Sequence, residues 1–277
     1  MSDFSYTAVT PAAPVAMRIF VINLQSSAER RKDIQSQLEK LGLPFEFFNA
    51  VDGKTLTEED LSAYDGRKRR LFFGKDLSRG EIGCLLSHRA IYRKVVAENI
   101  PAALILEDDT ILSPDLPDVL AALSACAGEW DMIRFLSREK NYRQARHLRP
   151  LDAAHTLARP YGTPGGAYGY IVTPRAAERL NANMRKNWIP VDILHGQIWR
   201  THLNVFSVIP SPVTYREDQP STIGDERFSK KHRLQGAEAA LYPFTRMGLK
   251  VYELAGKNLS RVACYLYDTA KNSKKAG

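Results

Sequence analysis

Cysteine is scarce in this 277-residue chain, and long hydrophobic runs are missing. The three cysteines, Cys84, Cys126 and Cys264, are odd in number and far apart, which argues against a disulfide framework and against a zinc site. No apolar run approaches the roughly 18 residues of a transmembrane helix. Residues 1–16 lack the basic-then-apolar order of a signal peptide and are expected to form a short disordered lead. These absences favour a reducing, cytoplasmic compartment.

A glycine fingerprint for dinucleotides is missing as well. The glycine-rich run 162–170 leads into a strand and does not read G-x-G-x-x-G before a helix. No glycine follows Leu24 until Gly42, so the chain also lacks the phosphate-cradling loop that a nucleotidyltransferase would need near its first strand. A nucleotidyltransferase is therefore disfavoured.

The composition describes a basic globular protein. Hydrophobic residues make up 44% and charged residues 25% of the chain, and 277 residues are enough to bury a full core. The net charge of +8 predicts an acidic partner, which is a nucleic acid, a phosphorylated substrate or an anionic membrane surface. A change of character near residue 237 predicts a main domain over 17–236 and a basic tail over 237–277.

The most informative stretch is an apolar strand that runs into three acids. Ala102–Leu106 is typical of a strand buried on both faces of a parallel sheet, and the acids Glu107–Asp109 follow it directly. Open α/β sheets bind ligands at the carboxyl ends of their strands. Strand alternation would place Glu107 and Asp109 on one side, where a divalent cation, Mn²⁺ or Mg²⁺, would separate their charges. A solvated acidic turn is the alternative interpretation.

The first fifty residues predict a strand, a helix and a second strand. An apolar strand over 18–24 is followed by a capping box, Ser26-x-x-Glu29, and by a helix that ends at Gly42. Extended structure resumes at 45–48. Because such units build parallel, doubly wound sheets, the predicted fold class is α/β with a mainly parallel sheet.

Two segments are predicted to be irregular. Residues 54–77 contain the basic cluster Arg67–Arg70, which is either a solvated face or an attractor of phosphate. Residues 137–159 are polar and basic, and a loop of this length inside a compact domain is usually functional or mobile.

A second capping box, Ser78-x-x-Glu81, opens a helix with one apolar stripe. His88 lies in the middle of that stripe. By itself, it reads as a hydrogen-bonded core histidine rather than a ligand or a base.

The tail is basic and amphipathic. Residues 246–277 hold seven lysines and arginines against Glu253 and Asp268, interleaved with aromatic and aliphatic side chains. Such a helix is typical of a membrane-surface element. The alternative is a terminal helix packed on the domain with solvated lysines.

Four separated motifs occur in one order along the chain. They are Ile22-Asn23-Leu24 followed by Arg30-Arg31, Phe48–Gly53, Leu77–Cys84 followed by Ser87-His88, and Leu106–Asp109. Together they resemble glycosyltransferase family 25, which includes bacterial lipooligosaccharide β-galactosyltransferases and collagen galactosyltransferases. The resemblance is good from about Met17 to Asp109, looser through 165–180 and 190–192, and absent from the tail.

This resemblance implies a GT-A-like fold, an α/β/α sandwich that binds a nucleotide sugar and inverts the anomeric carbon. The acidic triplet would be its metal motif, with Glu107 and Asp109 as ligands, although Asp108 instead of Glu107 stays open as the partner of Asp109. Asn23, Leu24 and Arg30 would lie near the uridine and diphosphate. The implied donor-binding set is Asn23, Leu24, Arg30, Ser78, Glu81, His88, Asp108 and Gly166.

The implied reaction moves a sugar, galactose by family expectation, from UDP to an acceptor hydroxyl through an oxocarbenium-like state. The metal would neutralise charge on the departing diphosphate, and a carboxylate would take the acceptor proton. Asp192 is the predicted base, since it follows the glycine-rich strand and its helix. An acid that caps the next segment is the alternative, with His195 as the reserve base. His202 and His232 are candidates for a third metal ligand.

The partners follow from these implications. They are a UDP-sugar donor, a lipid-linked or lipopolysaccharide-type glycan acceptor and, through the tail, the anionic inner face of a bacterial inner membrane. The competing class is a non-catalytic binder of RNA or anionic polysaccharide. That class leaves the acidic triplet unexplained, because acids repel phosphate unless a metal intervenes, so no nucleic-acid partner is expected.

Overall fold

A computed structural model describes residues 16–216 and 234–275, so most of the predicted disordered lead and His232 lie outside the described residues. The strands are β1 (Met17–Asn23), β2 (Glu46–Asn49), β3 (Ala102–Glu107), β4 (Thr110–Leu112), β5 (Met132–Arg134), β6 (Arg146–Pro150), β7 (Thr156–Arg159), β8 (Gly169–Val172), β9 (Val205–Ile209) and β10 (Val213–Tyr215). The helices are α1 (Ala28–Lys40), α2 (Glu58–Ser62), α3 (Gly66–Phe73), α4 (Arg79–Ala97), α5 (Leu116–Ala125), α6 (Glu139–Gln144), α7 (Pro174–Asn183), α8 (Val191–Gly196), α9 (Ile198–Thr201) and α10 (Gly236–Lys275).

An eight-stranded sheet with the order β2-β1-β3-β8-β5-β9-β7-β6 crosses the molecule. Parallel pairings join β1 to β2 and β3, and β5 to β9, whereas β8 and β7 run against their neighbours. All strands of this sheet except β7 and β8 therefore point the same way. This arrangement confirms the predicted α/β, GT-A-like fold with its mainly parallel sheet.

Helices cover both faces of the sheet because the strand residues alternate between two cores. Phe20 and Ile105 point to the face that α4, α7 and α8 cover. Val21 and Leu104 point to the opposite face, which α1 and α5 cover. Two such cores on one sheet produce the three layers of an α/β/α sandwich.

The two segments predicted to be irregular contain regular structure, so that prediction is wrong. Residues 54–77 include α2 and α3, and residues 137–159 include α6, β6 and β7. Strands β6 and β7 form a hairpin whose second strand pairs with β9, and α3 packs against α10. Partners distant in sequence stabilise both segments, and local periodicity does not report such partners.

The predicted tail forms the helix α10, which packs against α3 and α9. The helix is long, but the apolar stretches along it are short and interrupted by charges. Across the described ranges, no helix combines the length and the hydropathy needed to cross a bilayer.

Candidate active site

The carboxyl ends of β1 and β3 bring the acidic triplet beside Asn23. The parallel register pairs Ile22 with Glu107, and the chain turns immediately after Glu107. The Asn23 amide donates a hydrogen bond to the Asp108 carboxylate over 2.7 Å. Asp108 thus turns towards β1, but the turn after Glu107 means that strand alternation does not extend to Asp108 and Asp109.

The first cleft, of about 460 Å³, lies between the end of β1, the turn at 50–54 and the start of α4. Four of the residues that the sequence predicts to bind the donor line this cleft, namely Leu24, Arg30, His88 and Asp108. Three basic side chains, Arg30, Lys54 and Arg79, also line it. The motif Phe48–Gly53 is the signal in the sequence that points to the wall near Lys54.

The second cleft, of about 360 Å³, lies between the glycine-rich segment before β8 and the start of α8. Its lining includes Glu81, Gly166 and Asp192 from the predicted site, together with Tyr168 and Tyr215. Three residues, Cys84, Glu107 and Asp109, line both clefts. The two carboxylates therefore lie where the two clefts meet.

Negative charge at this junction is only partly compensated. The Arg30 guanidinium lies 3.4 Å from the Asp108 carboxylate and 3.7 Å from that of Asp109. Burial, reinforced by the nearby Glu107 carboxylate, raises the pKa of Asp109 to about 6. Burial also raises the pKa of Asp108. The Oδ1 atom of Asp109 is buried and accepts no hydrogen bond from the described residues.

His88 belongs both to the core and to the first cleft. Its Nδ1 is hydrogen-bonded to the Tyr170 hydroxyl over 2.6 Å. The Tyr170 hydroxyl is hydrogen-bonded to that of Tyr92 over 2.9 Å, and the Tyr92 hydroxyl to the Nε2 of His195 over 2.7 Å. The Nε2 of His88 is buried, has no hydrogen-bond partner among the described residues and lies 3.4 Å from Glu107. The apolar stripe in the sequence predicts that His88 is buried in the core, but it does not predict the tyrosines that orient its ring.

Several side chains at the junction offer atoms that could ligate a divalent cation. Asp109 offers an unpartnered buried oxygen beside the like charge of Glu107, and His88 offers an unpartnered nitrogen. Ligand atoms of Cys84, His88 and Glu107 lie within 4.8 Å of one another, whereas the predicted ligand Asp109 does not belong to this group. Carboxylate and imidazole suit Mn²⁺ among other metals, whereas a thiolate would select softer ions.

Asp192 lines the second cleft at the start of α8, and its predicted role as the base stays a prediction. One carboxylate oxygen accepts from the backbone N–H of Ile193 over 2.8 Å at the start of α8, and the other accepts from the N–H of Gly166 over 3.1 Å. Gly166 adopts a φ of +101°, which favours glycine.

The buried Arg134 guanidinium holds the segment before β8 by donating to the carbonyls of Pro164 and Gly166. Burial lowers the pKa of Arg134 to about 10. Sequence reasoning missed Arg134, which reads as an ordinary strand residue.

Several predicted residues lie elsewhere. Ser78 lines neither cleft and caps α4 in a reciprocal box with Glu81. His195 lines neither cleft either, and burial lowers its pKa far below the usual value, so it is neutral. His202 ends α9 and also lies outside both clefts.

Most of the basic side chains in the two predicted clusters, 67–70 and 137–159, line neither cleft. Arg69 is buried, and Arg70 pairs with Asp76 and Glu238, so the phosphate interpretation of Arg67–Arg70 receives no support from the two clefts. In the segment 137–159, Arg138 lines the second cleft.

Comparison with known proteins points to one family. The family model described as "Glycosyltransferase family 25 (LPS biosynthesis protein)" matches residues 16–195. A "Glycosyltransferase 25 family member" of Anopheles gambiae is 33% identical over 58% of this chain and 28% of its own length. One of Drosophila melanogaster is 30% identical over 68% of this chain and 31% of its own length. Procollagen galactosyltransferase 2 of Homo sapiens is 25% identical over 83% of this chain and 40% of its own length. The matched region thus spans well under half of each relative.

Proposed function

Because this chain belongs to glycosyltransferase family 25, we propose that it transfers a sugar from a UDP-sugar to a hydroxyl group of a glycan acceptor. The observation that carries this proposal is the position of Glu107 and Asp109 between two clefts. A transferase has to hold two substrates so that their reacting atoms meet at one place. A single junction of two clefts, lined by carboxylates, supplies such a place.

The first cleft suits the nucleoside diphosphate. Lys54 and Arg79 line it and would supply positive charge beside the phosphates, while Arg30 pairs with Asp108 and Asp109. Asn23 and Arg30 fix the Asp108 carboxylate and keep the end of β3 in position. The diphosphate would then lie beside Glu107 and Asp109, with its sugar directed to the second cleft.

The second cleft suits the donor sugar and the acceptor. Tyr168 and Tyr215 offer aromatic faces, and Asp192 offers a carboxylate held by two backbone N–H groups. The acceptor oxygen would bond to the anomeric carbon while the bond from that carbon to the diphosphate oxygen breaks. The proton of the acceptor hydroxyl would pass to Asp192, and the configuration would invert.

We also propose a divalent cation, Mn²⁺ or Mg²⁺, held by Glu107 and Asp109 with the His88 nitrogen nearby. When bound, it would neutralise negative charge on the diphosphate. Arg30 already pairs weakly with Asp109, so cation binding would have to displace or share this contact.

The names of the relatives favour galactose as the transferred sugar, since several are procollagen galactosyltransferases. The description of the family model instead mentions lipopolysaccharide biosynthesis. These relatives are insect and vertebrate proteins, so the bacterial setting gains no support from them and stays a prediction. We propose a lipid-linked or lipopolysaccharide-type glycan as the acceptor and the cytoplasmic face of a membrane as the location.

The test is UDP release from a panel of UDP-sugars, with and without Mn²⁺, by the wild type, Asp109→Asn and Asp118→Asn. Asp118 is an exposed acid on α5 and serves as the matched control. We expect metal-dependent release from one donor, at least about a hundredfold slower in Asp109→Asn and unchanged in Asp118→Asn. No release and no binding of any donor would contradict the proposed function.

A further inference from the structure

Helix α10 is fixed to the body along one face. Glu238 near its start pairs with Arg70 at 3.0 Å, and Asp268 near its end pairs with the buried Arg159 at 2.6 Å. Between them, the backbone at Gly256 lies against Trp199, so closely that a Cβ atom there would be 2.6 Å from the indole ring. These contacts hold the orientation of the helix, and with it the direction of its outer face.

The outer face of α10 is apolar over most of its length. Phe244 is 75% exposed, Met247 67% and Leu259 71%. Large apolar side chains recur seven residues apart, which is nearly two helical turns and keeps them on one side. The pairs at this spacing are Phe244 with Val251, Met247 with Leu254, and Leu259 with Leu266. An exposed apolar stripe of this length marks an interaction surface.

A line of basic side chains runs beside the stripe. Lys250, Lys257 and Arg261 are spaced by seven and four residues, so they share one side of the helix. That side is about 100° around the helix axis from Val251 and borders the body, where Lys257 is partly buried and Arg261 lies over the Tyr161 ring. Of the three acids on α10, Glu238 and Asp268 are used in ion pairs with the body, which leaves Glu253 beside these three basic residues. The charge that α10 presents outward is therefore mainly positive.

We propose that the outer face of α10 docks on an anionic phospholipid bilayer. The apolar stripe would enter the boundary between headgroups and acyl chains, and the line of Lys250, Lys257 and Arg261 would lie at the level of the lipid phosphates. A helix that lies in the interface needs a large amphipathic face and not a spanning length. The structure supplies such a face in a fixed orientation.

A second copy of this chain is a poorer occupant of the same face. Two copies packed antiparallel about a twofold axis would bring their basic lines to the same side of the pair, which costs free energy. Gly248 and Asn258 also interrupt the stripe where a helix pair would need apolar side chains. Charge complementarity thus favours the bilayer. This inference does not depend on the transferase activity, because binding to vesicles is measured without substrate.

The test is co-flotation of the full chain with vesicles of phosphatidylcholine alone or of phosphatidylcholine with 30% phosphatidylglycerol, a fraction of roughly the size that gives a strongly negative surface. We expect binding to the anionic vesicles only. The variant Phe244→Ser/Val251→Ser/Leu259→Ser and the variant Lys250→Glu/Lys257→Glu/Arg261→Glu should each bind at least about tenfold more weakly.

Matched controls keep the test specific. Val96→Ser changes an exposed apolar residue on α4, and Lys32→Glu/Lys40→Glu reverses exposed charges on α1; both should bind vesicles like the wild type. Circular dichroism verifies that every variant is folded. Equal binding to neutral and anionic vesicles, or no binding by the folded wild type, would overturn the proposal. A dimer in light scattering that only the serine variant disperses would instead assign the face to a second copy.

Discussion

At the scale of single residues, Asp109 has the least favourable environment for a negative charge among the acids of the site whose pKa shift is resolved. Its carboxylate is buried beside Glu107, and the partial pairing with Arg30 does not offset this environment, so its pKa rises to about 6. An acid that ionises reluctantly destabilises the folded protein at neutral pH unless a cation binds. The same environment that favours a divalent cation therefore costs stability in its absence.

Replacing Asp109 with Asn should stabilise the metal-free protein more at pH 7 than at pH 4. Because folding raises the pKa of Asp109 from 3.8 to about 6, the folded state binds the proton more tightly. The stability that this tighter proton binding contributes is fully present below the pKa of Asp109 in the unfolded state. It is lost as the pH rises through the pKa of Asp109 in the folded state. The difference approaches about 3 kcal/mol at most. Urea unfolding with a chelator at both pH values measures it.

The control for this comparison is Asp118→Asn, whose effect on the free energy of unfolding should be the same at pH 4 and pH 7. If Asp109→Asn behaves like this control, the carboxylate of Asp109 is not destabilised by its surroundings in the way described.

Tyr92→Phe should destabilise the protein by about 1–3 kcal/mol, because it removes the hydroxyl that joins Tyr170 to His195 and leaves buried polar atoms unpartnered. Thermal unfolding measures this cost. Tyr252→Phe is the control, since Tyr252 is half exposed and its loss of a hydroxyl should have little effect. Equal effects of the two substitutions would show that the buried chain of hydroxyls does not stabilise the fold.

At the scale of elements, the first cleft depends on how closely α4 approaches the turn at 50–54. A Cβ atom on Gly83 would lie 2.5 Å from the carbonyl oxygen of Val51, and one on Gly53 would lie 2.5 Å from that of Arg79. Real Cβ atoms are not found so close to backbone oxygens. The two glycines therefore allow the turn and the helix to form one wall of the cleft.

Gly83→Ala should push α4 away from the turn, lower the melting temperature and weaken UDP binding by about tenfold, because Val51 and Arg79 line the cleft on either side. Calorimetry measures both quantities. The matched control is Gly248→Ala in α10, where no atom lies within 4 Å of the added Cβ and helix propensity favours alanine. A Gly83→Ala protein with wild-type stability and UDP affinity would contradict the close-approach account.

Sequence patterns predict the elements whose stability is local. The capping box of α4, the apolar stripes of α1 and α4, and the apolar runs of β1 and β3 predict these elements within a few residues. The predicted box of Ser26 and Glu29 is wrong, because Ser27 is the N-cap residue of α1 and no side chain caps that helix. The hairpin β6–β7 is not predictable in this way, because β9 and Asp268, which lie far away along the chain, stabilise it. In the site, the acidic triplet and Asp192 stand out by chemistry, whereas Tyr92, Tyr170 and Arg134 look like ordinary core or strand residues.

At the scale of the whole molecule, one buried ion pair joins the last helix to the far edge of the sheet. Arg159 on β7 and Asp268 on α10 are both buried, and two hydrogen bonds of 2.6 and 2.9 Å connect them. Breaking such a pair leaves a charge that is neither hydrated nor paired. This pair holds the end of α10 on the body, as the pair of Glu238 and Arg70 holds its start.

Asp268→Asn should destabilise the protein by about 3 kcal/mol and increase amide exchange in the second half of α10. Hydrogen–deuterium exchange with mass spectrometry locates the change. Glu98→Gln is the control, because Glu98 forms exposed ion pairs with Arg18 and Lys94 that solvent screens. Unchanged exchange along α10 in Asp268→Asn would show that other contacts suffice to hold the helix.

The central claim is that the donor occupies the first cleft while Asp192 acts on the acceptor in the second. The most direct measurement compares the wild type with Asp192→Asn for the donor that the UDP-release panel identifies, by titration calorimetry for donor binding and by steady-state transfer to an acceptor for kcat. The account predicts an unchanged Kd for the donor and a kcat lowered by at least about a hundredfold. A wild-type kcat, or a loss of donor binding that accounts for the whole defect, would contradict it.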